Sequence, residues 1–392
     1  MPNVRSALSS PIEFRREVLP PLVVLESQWR SLEAAAHPSF FTSWYWIGTL
    51  LAVLPEASRP SLLRGSIGGE TIALALLGAQ LVRRCHGLIR SRSLYLNETG
   101  DPRSDMTIEH NGLLVAATHQ RGAAESLVEW FAESGADTDE FHVSGSLMRF
   151  SEQVVEARGL GRSEIVVPSY SVDLGRLSPT GGELFPVLSA NARQQLRRAF
   201  RYFERSGPLE LMRASTVAEA GGFFAALKEL HSASWERRSK HHAFSSGFFE
   251  PFHRLLIERS FDAGATQLFR ASAGARVIGY LYNFRLGNHV YAYQSGFAYD
   301  ERAARPGAVT HAMAIGEAYR SGAAVYDFMA GRNQLKESLA TRCEPMLWQV
   351  IQQPRLGFRL EHLARSTKHA VTCALSDLRR RKKDVAAVAA KR

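Results

Sequence analysis

Cysteine is scarce in this chain. Only Cys85, Cys343 and Cys373 occur in 392 residues. They are odd in number and far apart, with neither the spacing of metal ligands nor that of a disulfide framework. A small disulfide-stapled fold and a cysteine-rich zinc site are therefore excluded, and a reducing compartment such as the cytoplasm is expected.

Long apolar runs are also missing. No stretch reaches the roughly 18 consecutive apolar residues that a membrane-spanning helix needs. The opening Met1-Pro2-Asn3-Val4-Arg5 lacks the apolar core of a secretory signal. With 45% hydrophobic and 22% charged residues, the composition is that of a soluble globular chain, and its length favours two domains.

Acidic residues are too few to balance the basic ones, which leaves a net charge of +10. Such a charge favours polyanionic partners: a phosphorylated cofactor, nucleic acid or an anionic membrane face. Part of this positive charge comes from the consecutive basic residues 379–383. They lie within a predicted basic amphipathic helix and tail over residues 356–392. A solvated tail is the ordinary interpretation of such a run, and peripheral contact with RNA or lipid headgroups is the alternative.

The stretch from Leu268 to Gly331 organises the second half. Two β-branched and aromatic segments, 276–284 and 289–295, flank Leu286-Gly287-Asn288 and predict a hairpin. A polar loop containing Arg302, Arg305, Pro306 and Gly307 then precedes a helix ending near Arg320, and residues 324–329 predict a buried strand. Because a helix N-terminus binds anions, this loop suits a pyrophosphate, although a solvated loop with a helix cap is equally consistent with the residues.

The first half repeats that order of elements. It opens with a predicted strand at Pro21–Leu25. Paired strands near residues 70–77 and 93–97 follow, then a polar loop, a helix near residues 120–134 and a strand at residues 141–145. This order predicts two copies of one α/β unit, of which only the second carries the basic loop.

Two basic segments lie between or beside these units. A helix near residues 188–206, with Ser189 as N-cap, carries a stripe of arginines formed by Arg193, Arg197, Arg201 and Arg205. The pair His241-His242 has no third ligand at regular spacing, so no metal site is expected.

These features together resemble the FemAB/CelD-like branch of the GNAT acyltransferase superfamily. The matching segments are 96–101 with 109–112, His231 through Trp235 with Phe244 and Phe252-His253, and 326–328 with Gly331 and Lys336. The resemblance implies an α/β (α+β) fold of two tandem GNAT-like domains, each a mixed, mostly antiparallel sheet flanked by helices. The expected boundaries are 1–174 and 175–355, followed by the tail 356–392.

The resemblance also implies an activity, namely acyl transfer to an amine. The donor is acyl-CoA, whose pyrophosphate would lie against Arg302, Arg305, Gly307 and Ala308. Arg305 stands where the family's first glycine would be, which leaves room for an acyl carrier protein or an aminoacyl-tRNA as donor. The implied acceptor is an amino sugar, an amino acid or a peptide-like amine in polysaccharide or envelope biosynthesis.

Particular residues are candidates for this chemistry, which needs a neutral amine, a polarised carbonyl and an acid for the leaving group. Asp327 is the candidate for positioning or deprotonating the amine, and Tyr293 for the acid. Structural roles, as a hydrogen-bond acceptor and a core aromatic, are the alternatives. The resemblance adds four substrate contacts: Glu109, Asn111, Trp235 and Lys336. From another class, the chain could instead be a non-catalytic accessory of polysaccharide synthesis that acts through its tail.

Overall fold

Thirteen strands join into one continuous mixed sheet in the computed structural model of this protein. The structure describes residues 11–84, 87, 89–104, 106–177, 184–236, 243–299 and 304–361. The strands are β1 (Glu13–Glu17), β2 (Ser61–Ile67), β3 (Glu70–Arg84), β4 (Ile89–Leu96), β5 (Leu114–Val115), β6 (Glu140–Ser146), β7 (Gly161–Asp173), β8 (Leu209–Arg213), β9 (Thr266–Ala273), β10 (Arg276–Leu286), β11 (His289–Phe297), β12 (Val325–Ala330) and β13 (Arg342–Gln352).

Helices cover both faces of this sheet. In the described residues the α-helices are α1 (Leu22–Ala34), α2 (Trp44–Val53), α3 (Ala123–Glu133), α4 (Glu152–Ala157), α5 (Ala190–Glu204), α6 (Val217–Glu236), α7 (Phe249–Ser260), α8 (Pro306–Arg320) and α9 (Gln334–Leu339). Residues 356–361 are helical too. No helix in these described segments is long and apolar enough to cross a membrane.

The side-chain alternation of β10 shows which helices share a face. Tyr282 and Phe284 join the core that contains Phe224 of α6 and Phe252 of α7. Leu281 joins the core that contains α5 and α8. Because successive side chains of a strand point to opposite faces, α6 and α7 lie on one face and α5 and α8 on the other.

The two halves of the sheet exchange their last strands. The complete order is β1-β2-β3-β4-β6-β13-β7-β12-β11-β10-β9-β8, with β5 beside β3. β13 pairs antiparallel with β6 on one edge and with β7 on the other. β7 in turn pairs antiparallel with β12. The strand that ends each series of elements is therefore inserted into the sheet of the other series.

The structure confirms the mixed α/β class but changes two expectations. A separate central sheet for each half is replaced by one sheet, because β7 and β13 cross between the halves. The strand predicted at Pro21–Leu25 is wrong, since α1 begins at Leu22. Leu25, Trp29 and Leu32 are buried at helical spacing, and this period outweighs the β-propensity of Val23-Val24. The boundary expected at residue 174 falls just after β7.

Aromatic rings from the first half pack into the second. Phe40 stacks on Phe284 of β10 with ring centroids 4.2 Å apart. Trp46 of α2 meets Phe252 of α7 edge to face at 4.8 Å. Such buried aromatic pairs add to the sheet in fixing the two halves against each other.

A buried carboxylate of β6 joins two strands of the first half, β3 and β4, to β13 of the second half. Glu140 of β6 accepts hydrogen bonds from Ser91 and Ser93 of β4 at 2.8 Å and from Gln352 of β13 at 2.7 Å. It also pairs with Arg84 at the end of β3. The buried charge thus has partners from both neighbouring strands, β4 and β13, and from β3 beyond β4.

We expect Glu140→Gln to lower the free energy of unfolding by about 3 kcal/mol at neutral pH, because Arg84 loses its buried partner. Burial alone would raise the pKa of Glu140, but His142 and Arg84 outweigh it and hold that pKa well below the usual range. The stabilisation is therefore complete above the unfolded pKa of about 4.5 and is lost as the pH falls further. Urea unfolding at several pH values measures this. A deficit that stays constant down to acid pH would contradict it, and Glu129→Gln in the exposed pair with Arg158 is the control.

Candidate functional site

A cleft opens where β11 and β12 separate. These parallel strands pair only over His289–Tyr291 and Val325–Asp327. Beyond that point they diverge around a cavity of about 420 Å³, within the range of small-molecule sites. Polar side chains reach this cavity from several elements, among them Glu109, His231, Tyr293, Gln294, Asn333 and Lys336.

A bulge in β12 opens this cleft. The register between β12 and β7 shifts between Asp327 and Ala330. Met329 lies in the left-handed region with φ 67°, which is uncommon for a residue other than glycine. Its N–H donates to Asp327 Oδ1 at 2.7 Å. The bulge therefore turns the end of β12 away from β11.

Glu109 and Lys336 hold the end of that strand from two sides. Glu109, from the first half of the chain, accepts a hydrogen bond from the Ala330 N–H at 2.6 Å. Lys336 of α9 donates to the Ala330 carbonyl at 2.6 Å and to the Met329 carbonyl at 3.2 Å. Burial raises the pKa of Glu109 and lowers the pKa of Lys336. Both residues predicted as substrate contacts are thus brought together in one wall of the cavity.

His231 of α6 enters the cavity from the opposite side. Its Nδ1 lies 3.0 Å from the Ser295 carbonyl of β11. A carbonyl only accepts, so Nδ1 carries the proton of the neutral ring and Nε2 is the basic nitrogen. α6 comes this close because position 296 is glycine: a Cβ there would lie 2.4 Å from the Leu227 carbonyl.

The phenol of Tyr293 faces the same cavity. Its hydroxyl donates to the Thr107 carbonyl at 3.4 Å. Burial raises the pKa of Tyr293 far above its ordinary value, so the phenol keeps its proton at neutral pH. A protonated hydroxyl at this place is able to act as a proton donor.

Asp327 lies behind the bulge, held by two imidazoles. Its Oδ2 is 3.0 Å from Nε2 of His110 and 3.2 Å from Nε2 of His289. Burial alone would raise the pKa of Asp327, but the two histidines outweigh it and hold that pKa well below the usual range. A carboxylate of such low pKa is a weak base, which favours a positioning role over deprotonation.

The start of α8 offers fewer free backbone N–H groups to an anion than the sequence led us to expect. Arg305 is its N-cap in the left-handed region, φ 52°. Pro306 has no N–H, and the Ala308 N–H donates to the Arg305 carbonyl at 3.0 Å. A Cβ at Gly307 would lie 3.0 Å from the Phe297 ring, so this glycine packs against a cavity-wall residue. Arg302 lies outside the described residues.

Of the two other predicted contacts, Asn111 does not line the cavity. Asn111 is buried, and its amide donates to the Leu96 carbonyl and accepts from Asn97, both at 2.9 Å. Its polar groups therefore serve the fold of the first half. Trp235 lies near the end of α6, in the described backbone, but its side chain is outside the described part. His241-His242 and the basic tail beyond residue 361 also lie outside it.

Sequence reasoning missed three residues of this region. His231 was part of the segment on which the family resemblance rests, and that segment was the available signal. His110 and His289 are isolated histidines in sequence. No local pattern relates them to Asp327, because the first half of the chain contributes one of them and the hairpin the other.

The first half has a smaller counterpart of the cleft. β4 and β6 also pair in parallel, over Ser93–Tyr95 and Glu140–His142. The cavity beyond them measures about 210 Å³, and its lining includes residues 97–102 of the chain's own loop. A Cβ on Gly78 of β3 would lie 2.1 Å from the Glu98 carbonyl of that loop. In the first half, this loop thus fills much of the space that corresponds to the open cleft between β11 and β12 in the second half.

Comparison with known protein families gives a match for the second half of the chain, which holds the larger of the two cavities just described. Residues 190–337, from α5 into α9, match the model of an acetyltransferase (GNAT) domain. This match confirms the family resemblance predicted from the sequence. Among curated proteins, no sequence matches the chain significantly.

Two solved structures share the fold. FemX is similar with a TM-score of 0.56 and 11% identity, over 86% of this chain and 96% of that one. A C-terminal domain assigned to a lysylphosphatidylglycerol synthetase of Agrobacterium fabrum has a TM-score of 0.52 and 12% identity, over 88% and 96% of the two chains. At such low identity these similarities show that the chain shares the fold of the two structures and nothing further.

Proposed function

Because this chain carries a GNAT acetyltransferase domain, we propose that it is an N-acyltransferase whose reaction takes place in the cavity between β11 and β12. The observation that carries the proposal is the separation of these strands around a cavity that the His231 imidazole, the Tyr293 phenol, Glu109 and Lys336 line. The implied donor is acyl-CoA, with an acyl carrier protein as the related source of the same thioester.

The open edge of β11 supports the placement of the donor. The Ala298 N–H, just after β11, donates to the Ile278 carbonyl of β10 at 3.0 Å. Backbone groups of successive strand residues point to opposite edges, so the N–H groups of Ser295 and Phe297 point toward the cleft. An extended amide chain such as pantetheine would pair with this edge as an added strand. The nucleotide end would then lie toward Arg305 and the start of α8.

The side chains in the cavity suit the proton transfers of the reaction. The neutral amine attacks the thioester carbonyl carbon, and Nε2 of His231 accepts the proton that the amine loses. The carbon–sulfur bond then breaks, and Tyr293 donates its proton to the leaving thiolate. Backbone N–H groups of the β11 edge would stabilise the negative charge that develops on the carbonyl oxygen.

The opposite wall supports a polar acceptor. Glu109, which is buried, and Lys336, which is half-buried, would place a carboxylate and an ammonium beside the attacking amine. An acceptor that carries hydroxyl or carboxylate groups beside its amine matches this pair. Amino sugars, amino acids and peptide-like amines all have these groups, and a role in polysaccharide or envelope biosynthesis is consistent with them.

We expect acetyl-CoA or a long-chain acyl-CoA to bind with micromolar affinity, and Arg305→Ala to weaken binding by about tenfold to 100-fold, because a charge-assisted contact to phosphate is lost. Isothermal titration calorimetry measures this. Arg320→Ala, at the other end of α8, is the matched control and should bind as the original chain does. Equal affinities of the two variants would remove Arg305 from the donor site.

A second candidate is a transferase that uses aminoacyl-tRNA as donor. The observation in its favour is the exposed stripe of Arg197, Arg201 and Arg205 on α5, close to the GNAT domain's beginning. If neither acyl-CoA binds, charged tRNA becomes the donor to test, and its affinity should fall steeply with salt. An accessory role would instead be lost on deleting residues 375–392, whereas either transferase should keep its turnover.

A further inference from the structure

Two histidines and an aspartate from distant parts of the sequence converge where β11 and β12 separate. His110 comes from the loop between β4 and β5, His289 begins β11, and Asp327 lies in β12. One ligand atom from each of the three lies within 4.8 Å of the other two. None of the three residues lines the cavity of the proposed acyl transfer, and the inference does not depend on that reaction.

We propose that these three side chains bind one divalent transition-metal ion of the Zn²⁺ class. Two imidazoles and one carboxylate are a ligand set that proteins use for such ions, with a position left for water. Ligand atoms at about 2.1 Å from an ion lie ~3.0 Å apart in octahedral and ~3.4 Å apart in tetrahedral coordination. The two Nε2–Oδ2 distances, 3.0 Å and 3.2 Å, fall within that range of spacings.

The state of His110 is a second observation that points to an ion. Its side chain is only 9% exposed, and its Nε2 is buried without a hydrogen-bond partner in the described part of the chain. The nitrogen lies 3.0 Å from Asp327 Oδ2, but the pair does not have hydrogen-bond geometry. A buried ring nitrogen aimed at a carboxylate and not bonded to it is available to a metal ion.

The surroundings hold the ligands in place and leave an entry path. The Met329 N–H donates to Asp327 Oδ1, so Oδ2 is turned toward the histidines, as outer hydrogen bonds commonly orient metal ligands. The His289 side chain is 27% exposed, so an ion can reach the cluster from its side. A bound ion would fasten the loop that carries Glu109 and His110 to both strands of the cleft.

Titration of the metal-free chain with Zn²⁺ tests the proposal. The full-length protein is prepared without a histidine tag, stripped with a chelator and titrated by calorimetry, and the metal retained after dialysis is measured by mass spectrometry. We expect one ion per chain and a higher Tm with Zn²⁺. Asp327→Asn and His289→Gln should each bind at least about 100-fold more weakly, since even outer partners of metal sites cost 10-fold to 100-fold. Co²⁺ should give visible absorption bands in the original chain and not in these variants.

His37→Ala, which removes an exposed histidine outside the cluster, is the control and should bind as the original chain does. His289→Gln changes the most exposed ligand, and its circular dichroism spectrum shows whether it is folded. The proposal is overturned if the unaltered chain retains no ion. It is also overturned if a folded His289→Gln variant binds Zn²⁺ as tightly as His37→Ala. Loss of acyl-transfer activity plays no part in either outcome.

Discussion

His231→Ala should lower kcat for acyl transfer by about 10²-fold to 10⁴-fold, the usual contribution of a general base. The contact between Nδ1 of His231 and the Ser295 carbonyl fixes the proton on Nδ1. Nε2 is therefore the basic nitrogen of this imidazole. Without it the attacking amine has to lose its proton to water. In the proposed binding mode the thioester contacts the β11 edge and not His231, so the donor Kd should change little.

Release of free thiol from acyl-CoA in the presence of a panel of amines measures kcat, and calorimetry measures the donor Kd. Ser234→Ala is the matched control, because Ser234 lines the same cavity one turn further along α6 and cannot act as a base at neutral pH. A His231→Ala enzyme with ordinary turnover would exclude the imidazole as base. An equal loss in Ser234→Ala would mean that the shape of the cavity, and not the proton acceptor, had been disturbed.

A chain that ends after Ala340 should not fold, although it contains all of the GNAT domain match. Such a chain lacks β13, which lies between β6 and β7 in the middle of the sheet. Met346, Leu347 and Ile351 of β13 are buried, and each contributes about 2 kcal/mol by burial. That sum alone is comparable to the 5–15 kcal/mol by which ordinary domains are stable, before the loss of two hydrogen-bonded ladders.

Circular dichroism and gel filtration of the shortened chain measure this result. A chain that ends after Glu361 is the control, since it keeps every strand and should remain folded and monomeric. A folded, monomeric chain without β13 would contradict the strand exchange. If the missing strand is supplied as a separate 342–352 peptide, recovery of the folded spectrum would support the same explanation.

Much of the second half could be predicted from local patterns. The hairpin of β10 and β11 follows from two β-rich segments around Gly287, which has the positive φ of 56° that the turn requires. The N-cap of α5 follows from Ser189, whose side chain accepts a hydrogen bond from the Ala192 N–H. The family resemblance then indicated the fold of the whole chain from a few scattered segments.

Features that depend on long-range pairing could not be predicted in the same way. The partners of β7 and β13 are set by backbone ladders between distant segments, which leave no local signal. Asp327 was selected as an isolated acidic residue in a strand. Its role changes once His110 and His289 are seen beside it, because two imidazoles make its carboxylate a poor base and a good ligand.

The exchange of strands has a consequence for how the protein is made. Contacts such as that between Gln352 and Glu140 join residues 212 positions apart, so β6 has no partner on its outer edge until the ribosome has released β13. Until then, the nascent chain exposes an unpaired strand that can pair with other chains. Production of this protein should therefore benefit from slow synthesis or from chaperones that cover the unpaired edge of β6. A stop codon that removes β13 should be as damaging as one early in the reading frame.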